Sequence, residues 1–307
     1  MEKKKSLIFR LKQDIRRNGV LYLLVLPVLA FYILFHYKPM YGTLIAFKDF
    51  QPRLGIMGSP WVGFDNFKAF FTNPYFMRVL KNTLVISVSN ILFTFPAPII
   101  LALLINEMRG EKFKKGVQTI SYLPHFISLV VVCSMVKEFT SSDGFVTDIA
   151  VLFGMERQTM LNNQNLFVPI YILSDIWQNV GWSSIIYLAA LTGIDTELYD
   201  AASIDGAGRF KKVLYVTIPG ILPQIIIMLI LAIGGMMNVG YEKIILLYNP
   251  ATYNTADVIN SYVYREGLVS RNYGYSTAVG LFNSVINCIL LFASNHISKK
   301  VSDTSLW

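Results

Sequence analysis

Six stretches of the chain are almost continuously apolar over roughly the 20 residues that a helix needs to cross about 30 Å of hydrocarbon. They are residues 20–35, 80–105, 117–136, 166–191, 219–241 and 273–297. The pattern predicts an all-α membrane protein with six transmembrane helices. The first stretch is the shortest, and Lys3, Lys4 and Lys5 precede it in the manner of a secretory signal. No small-residue cleavage site follows before His36-Tyr37-Lys38-Pro39, so an uncleaved first span is expected.

Polar residues recur inside four of these stretches at intervals of three or four, which places each set along one helix face. The second carries Thr83, Ser87, Asn90 and Thr94, followed by Pro96 and Pro98, which break the backbone ladder. The fourth carries Tyr171, Asp175, Gln178 and Trp182, with Asn179 beside them and Trp177 in the same turn. The fifth carries Gly234, Gly235, Asn238 and Tyr241, and the sixth Ser276, Gly280, Asn283 and Asn287. Any one such residue is explained by hydrogen bonding between helices. Four faces at once are better explained by a shared polar cavity, since an unpaired polar group facing lipid is costly. For Asn283 and Asn287 both readings stand.

Composition strengthens the membrane reading. Of 307 residues, 54% are hydrophobic and 15% charged, against about 25% charged in soluble domains, and mean hydropathy is +0.48. The net charge of +8 shows no dense basic stripe among aromatics, which argues against a nucleic-acid partner. It reads instead as topology. Lys and Arg gather before the first stretch (Lys3, Lys4, Lys5, Arg10, Lys12, Arg16, Arg17), between the second and third (Arg109 to Lys115), between the fourth and fifth (Arg209 to Lys212), and after the sixth (Lys299, Lys300). These sites place both termini in the cytoplasm by the positive-inside rule.

The chemistry that is missing narrows the classes further. No Lys or Arg lies deep in the six stretches as drawn, and Asp175 is their one deep acid, which is thin support for a proton-coupled carrier. His36, His125 and His296 match no metal spacing, Cys133 and Cys288 both sit in apolar runs, and neither a phosphate-binding glycine loop nor a nucleophile elbow occurs. Amides that donate and accept, beside the flat faces of Trp177, Trp182 and Tyr241, suit a neutral polyhydroxylated solute. Asp175 is expected to repel an anionic one.

Between the fourth and fifth stretches, Leu198, Ala201, Ala202 and Asp205 fall on one face of a short helix. Gly206 permits a sharp turn, and a second short helix with Phe210, Val213, Leu214 and Thr217 is expected to end at Pro219. This run, Asp200-Ala201-Ala202-Ser203-Ile204-Asp205-Gly206-Ala207-Gly208-Arg209-Phe210 with Pro219 and Pro223 beyond, resembles the EAA loop of ABC importer permeases, Asp200 standing where the pattern has Glu. Tyr37-Lys38-Pro39-Met40-Tyr41-Gly42, Ser59-Pro60-Trp61-Val62-Gly63-Phe64-Asp65-Asn66-Phe67, Leu123-Pro124-His125-Phe126, Asp175 to Trp182 and Leu247-Tyr248-Asn249-Pro250 extend the likeness to LplB/YteP-type polysaccharide permeases, a branch of the MalF-like carbohydrate-uptake class.

The resemblance implies a MalF/MetI-like ABC importer permease fold. Residues 1–19 form a basic cytoplasmic segment, 20–297 one transmembrane domain with a coupling loop at 195–218, and 298–307 a cytoplasmic tail. It implies a non-enzymatic subunit that imports an oligosaccharide across a bacterial plasma membrane and itself holds no cofactor. ATP and Mg belong to two copies of a partner ATPase, and the other partners are a second permease and an extracellular solute-binding lipoprotein. Asp200, Ala201, Ala202, Asp205, Gly206, Ala207, Arg209, Phe210 and Pro219 are the expected coupling residues. The expected solute path runs along Asp175, Trp177, Gln178, Asn179, Trp182, Asn238, Tyr241, Asn283 and Asn287. An ion-coupled sugar carrier, a membrane enzyme and an ABC permease for a non-sugar solute are the alternatives.

Overall fold

The computed structural model describes residues 7–302 and 304–307, and it is helical. Lys3, Lys4 and Lys5 of the basic N-terminal segment lie outside the described residues, as do the side chains of Arg10 and Lys12. Among the described residues four helical runs are long and apolar enough to cross a bilayer: Arg16–Phe47, Phe76–Glu107, Arg209–Gly234 and Tyr273–Ser302. The first begins within α1 (Leu7–Tyr32), and the second contains α2 (Phe76–Ser89) and α3 (Pro96–Glu107).

The third apolar stretch is not one helix. After α4 (Glu111–Tyr122) the chain makes a 3-10 turn at Leu123–Phe126 and bends by 99° into α5 (Leu129–Phe139). Pro124 lacks the N–H that would continue the ladder. Ser128 then starts the new helix, its hydroxyl accepting from the Val131 amide at 3.4 Å. Taken together the bent pair makes a fifth candidate span. The fourth stretch lies in α6 (Gln164–Leu191), 28 residues long and so about 42 Å at 1.5 Å per residue. It is long enough to span, but Asp175, Gln178 and Asn179 make it more polar than the other runs.

Pro96 and Pro98 interrupt the backbone ladder without ending the second run, and Pro219, contrary to expectation, does not end the helix after Gly206; the chain continues through it into α8 (Ile218–Gly234). In both, a π turn lies just ahead, Asn90–Thr94 and Val213–Thr217, and a third, Ile33–Tyr37, precedes Pro39. Each proline stands two residues past its π turn. The wider i→i+5 turn moves the preceding carbonyls away from the pyrrolidine ring, which would otherwise clash with the carbonyl four residues back.

The fifth stretch breaks as well. α8 stops at Gly234, residues 235–240 are non-helical, and α9 (Tyr241–Leu247) starts a new helix. The connection that follows carries α10 (Ile259–Tyr264) and leads to α11 (Tyr273–Ser302).

α6 is the central helix. Gly181 lets it approach the chain at Ser121 so closely that a Cβ would collide with the Ser121 backbone. The buried core falls into three clusters, and α6 contributes to the first and third of them. One gathers Phe167, Tyr171, Cys133 and Leu247, a second Phe70, Met237, Tyr262 and Val279, and a third Ala102, Tyr187, Leu191 and Ile221. α1 shares in none of them: from Val20 to Tyr41 every side chain but Ala30 is exposed.

Candidate functional site

Breaking a helix in mid-bundle leaves backbone groups without ladder partners, and in hydrocarbon each must be met from within the protein. Side chains of neighbouring helices do this at 235–240. The Ser87 hydroxyl donates to the Met236 carbonyl. Asn287 Oδ1 accepts from the Met237 amide at 3.0 Å, Asn283 Nδ2 lies 3.3 Å from the Met237 carbonyl, and Asn260 Nδ2 lies 3.4 Å from that of Val239. Asn287, one of the two residues with an open role, is therefore a brace for the broken backbone. Asn283 serves there too while lining a cleft.

Beside the break lies a cavity of about 830 Å³, lined by residues of α2, α3 and the π turn between them, of α6 and α8, and of the break itself, among them Ser87, Asn90, Thr94, Trp182 and Asn238. Of the residues expected along the solute path, Trp182 and Asn238 reach this cavity. Tyr241, Asn283 and again Asn238 line a smaller cleft of about 440 Å³. The rest of the set is placed otherwise. Gln178 is buried and donates to the Ile127 carbonyl at 3.3 Å, tying α6 to the bend before α5. Trp177 is exposed and lines neither cavity.

Asp175 and Asn179 belong to a polar chain that the sequence did not disclose. Lys243 Nζ lies 3.3 Å from Asp175 Oδ1 and donates to the Tyr171 carbonyl at 3.1 Å. Asn179 Nδ2 donates to the same carboxylate oxygen at 3.1 Å, and its Oδ1 is 3.0 Å from His125 Nδ1. His125 in turn stacks on Trp182, centroids 4.7 Å apart and planes 4° inclined. Lys243 is only 4% exposed. Two expectations are thereby corrected: a deep cation exists, and Asp175 is not a free anion that repels acidic solutes, because Lys243 neutralises it. Lys243 lies just past the fifth apolar stretch, which ends at Tyr241, so the apolar pattern leaves it out. The chain of contacts joins α9, α6 and the 3-10 turn across three segments.

A second ionic cluster joins α2 to the connection between α9 and α11. Asp257, fully buried, accepts from Arg265 at 3.0 and 2.8 Å and from Arg78 at 3.1 Å. The hydrogen bonds to Asp257 push the Arg265 guanidinium further up from its ordinary value. The cluster pins residues 257–265 onto the start of α2.

At the other end, α7 (Thr196–Ile204) opens with Asp195, whose carboxylate accepts from the Glu197 amide at 2.9 Å. It closes with a Schellman motif: Gly206 N–H reaches Ser203 O at 3.1 Å and Ala207 N–H reaches Ala202 O at 2.9 Å. Gly206 has φ +72°, and a Cβ there would touch nothing within 4 Å, so the demand for glycine is torsional. Lys212 Nζ donates to Ser203 Oγ at 2.6 Å, and the hydroxyls of Tyr199 and Thr217 meet at 3.1 Å, closing the hairpin.

What the turn presents is unpartnered. Asp200, Asp205 and Arg209 are exposed and form no ion pair among the described residues. Phe210 is 80% exposed and Ile204, which the helical pattern did not single out, 88%. Ala201 and Pro219 are exposed, while Ala202 and Ala207 are half-buried.

Residues 69–303 match the family described as "Binding-protein-dependent transport system inner membrane component", and the chain belongs to that family of ABC transporter permease subunits. It is 44% identical to Protein LplB of Bacillus subtilis over 95% of this chain and 92% of that one. It is also 44% identical to the polygalacturonan/rhamnogalacturonan transport system permease protein YteP of the same organism, over 100% and 94%. Among solved structures it resembles a chain of a bacterial ABC transporter involved in the import of the acidic polysaccharide alginate, with TM-score 0.88 and 44% identity over 95% of this chain and 99% of that one. A structure of a bacterial alginate ABC transporter in complex with an alginate pentasaccharide-bound periplasmic protein gives 0.89 and 43%, over 97% and 100%.

Proposed function

We propose that this chain is the transmembrane subunit of an ATP-driven importer that carries an oligosaccharide into a bacterial cytoplasm, with six spans and both termini inside. The observation that carries the reading is the broken fifth span. An irregular backbone at membrane depth, satisfied by side chains and facing a cavity, is how transport proteins build a solute site. An apolar cavity edged by hydroxyls, amides and an indole is suited to a sugar chain. Two relatives are named for polygalacturonan or rhamnogalacturonan and for alginate, so uronate-containing oligosaccharides are the first cargo to test.

In this mechanism a loaded extracellular binding protein docks on the outer connections and releases sugar towards the cavity that this chain shares with a second permease. ATP and Mg act in a pair of cytoplasmic ATPase subunits. Their closure pushes the hairpin at 195–218, whose exposed Ile204 and Phe210 enter a groove of the ATPase while Asp200, Asp205 and Arg209 make polar contacts at its rim. Because α7 is tied to the base of α8, movement of the hairpin reaches the break at 235–240 through one continuous helix.

The test is reconstitution of this chain with its second permease, ATPases and binding protein in proteoliposomes. ATP-dependent accumulation of labelled oligogalacturonides or alginate oligosaccharides is expected. Accumulation that persists without ATP and follows an ion gradient would make the protein a secondary carrier instead.

A further inference from the structure

The smaller cleft, between α10 and the first turns of α11, has a volume within the roughly 300–1,000 Å³ range of small-ligand sites. No charged side chain lines it. Its walls include Tyr241 and Tyr264, whose rings stack with centroids 6.0 Å apart and planes 30° inclined, and both rings are more than a third exposed. Asn238, Asn260 and Asn283 supply amides, and Gly280 leaves open space, since a Cβ there would meet nothing within 4 Å.

Asn283 is the residue that points to a ligand. It is 4% exposed, yet its Oδ1 has no hydrogen-bond partner among the described residues. Its Nδ2 carries two hydrogens but faces three oxygens, those of Met237, Asn238 and Asn260, at 3.3, 3.0 and 3.0 Å. The cleft thus holds at least one acceptor wanting a donor, Asn283 Oδ1, which a buried site does not leave open without cause. Hydroxyl groups are such donors, and tyrosine rings offer the flat faces on which sugar C–H surfaces lie. A phospholipid headgroup would find no cation there.

Asn238 lines both this cleft and the larger cavity. We propose that the cleft is a second saccharide subsite, which takes one uncharged ring face of a chain whose neighbouring residue occupies the larger cavity. Tyr241 and Tyr264 form the stacking surface, Asn283 accepts from a hydroxyl, and Asn238 sits at the junction. The proposal rests on the oligosaccharide reading above and adds a length requirement: a disaccharide can sit in one cavity, whereas a tetrasaccharide draws on both.

The complete reconstituted transporter tests this in two ways. Gly280→Leu fills the cleft and is expected to lower tetrasaccharide uptake roughly tenfold relative to disaccharide uptake. Tyr264→Leu should act in the same direction, and Tyr264→Phe should restore transport. Independently, Ser284→Cys, which lies in the cleft wall, is made with Cys133 and Cys288 replaced, and its rate of labelling by a small thiol reagent is measured. An alginate or galacturonate tetrasaccharide is expected to slow that labelling. If saccharide leaves the labelling rate unchanged, or if the length ratio in both Gly280→Leu and Tyr264→Leu equals that of wild type, the subsite is overturned while saccharide import stands. Failure of the wild-type transporter to import any saccharide would remove the functional reading and the subsite together.

Discussion

The break at 235–240 and the hairpin at 195–210 are both short irregular pieces next to α8, and their surroundings are opposite. At the break, carbonyls and amides are met by Ser87, Asn260, Asn283 and Asn287, all from this chain. At the hairpin the backbone is self-contained through a Schellman motif, but Ile204, Phe210, Asp205 and Arg209 face outwards without partners. A site for a small solute must be complete before the solute arrives. A site for a protein partner leaves its recognition groups exposed, because the partner supplies the other half. The comparison predicts that changes near the break damage the subunit itself, and that changes at the hairpin damage only its traffic with other subunits.

The largest effect is expected next to the break. Asp175→Ala leaves Lys243 buried without a counter-charge, and losing one partner of a buried pair costs about 3–5 kcal/mol. Folded protein recovered from membranes should fall sharply, and Asp175→Asn combined with Lys243→Met should recover much of it. Normal recovery of Asp175→Ala would break the contrast at its strongest point. Asn287→Leu orphans the Met237 amide, at about 1–3 kcal/mol; a lowered melting temperature of the purified complex checks this.

The hairpin should answer differently. Gly206→Val places a β-branched residue at φ +72°, a strain of about 1–3 kcal/mol confined to an exposed turn. Insertion should be normal while ATPase activity stimulated by the loaded binding protein collapses. The smallest effect belongs to charge reversal at Asp205 or Arg209, about 0.2–1 kcal/mol each, seen as weaker ATPase docking as the salt concentration changes. Phe210→Ala should exceed both, since buried aromatic anchors carry more of an interface than rim charges. Loss of folded protein in these hairpin variants would erase the distinction between the two regions.

How much of this was legible beforehand depended on whether the signal was local. Runs of apolar residues located the four long helical runs, and the spacing around Gly206 located the hairpin turn, because each needs only a few consecutive residues. Lys243 was hidden because its partner lies 68 positions away in sequence, at Asp175. It lies two residues past Tyr241, where the fifth apolar stretch ends and a loop is expected. Asn283 and Asn287 were visible as a polar face, but their targets, the carbonyl and amide of a helix break, belong to another segment. The break itself had a signature in Gly234, Gly235 and Gly240 flanking Asn238, outweighed by the apolar run around it. Ile204 was passed over because its exposure is a fact of three dimensions.

The π turns ahead of Pro39, Pro96 and Pro219 bear on how such a sequence can change length. A π turn accommodates one residue more than the regular ladder requires, with the helix beyond it keeping its orientation. Deleting a residue elsewhere in a span rotates every later side chain by about 100° and turns the solute-facing surface toward lipid. Deleting one within Asn90–Thr94, together with exchange of Pro96 for a residue that has an N–H, closes the wide turn and leaves α3 facing as before. These three points are therefore where single-residue insertions and deletions can pass through the transmembrane region without scrambling it, and proline and extra residue should be gained or lost as a pair.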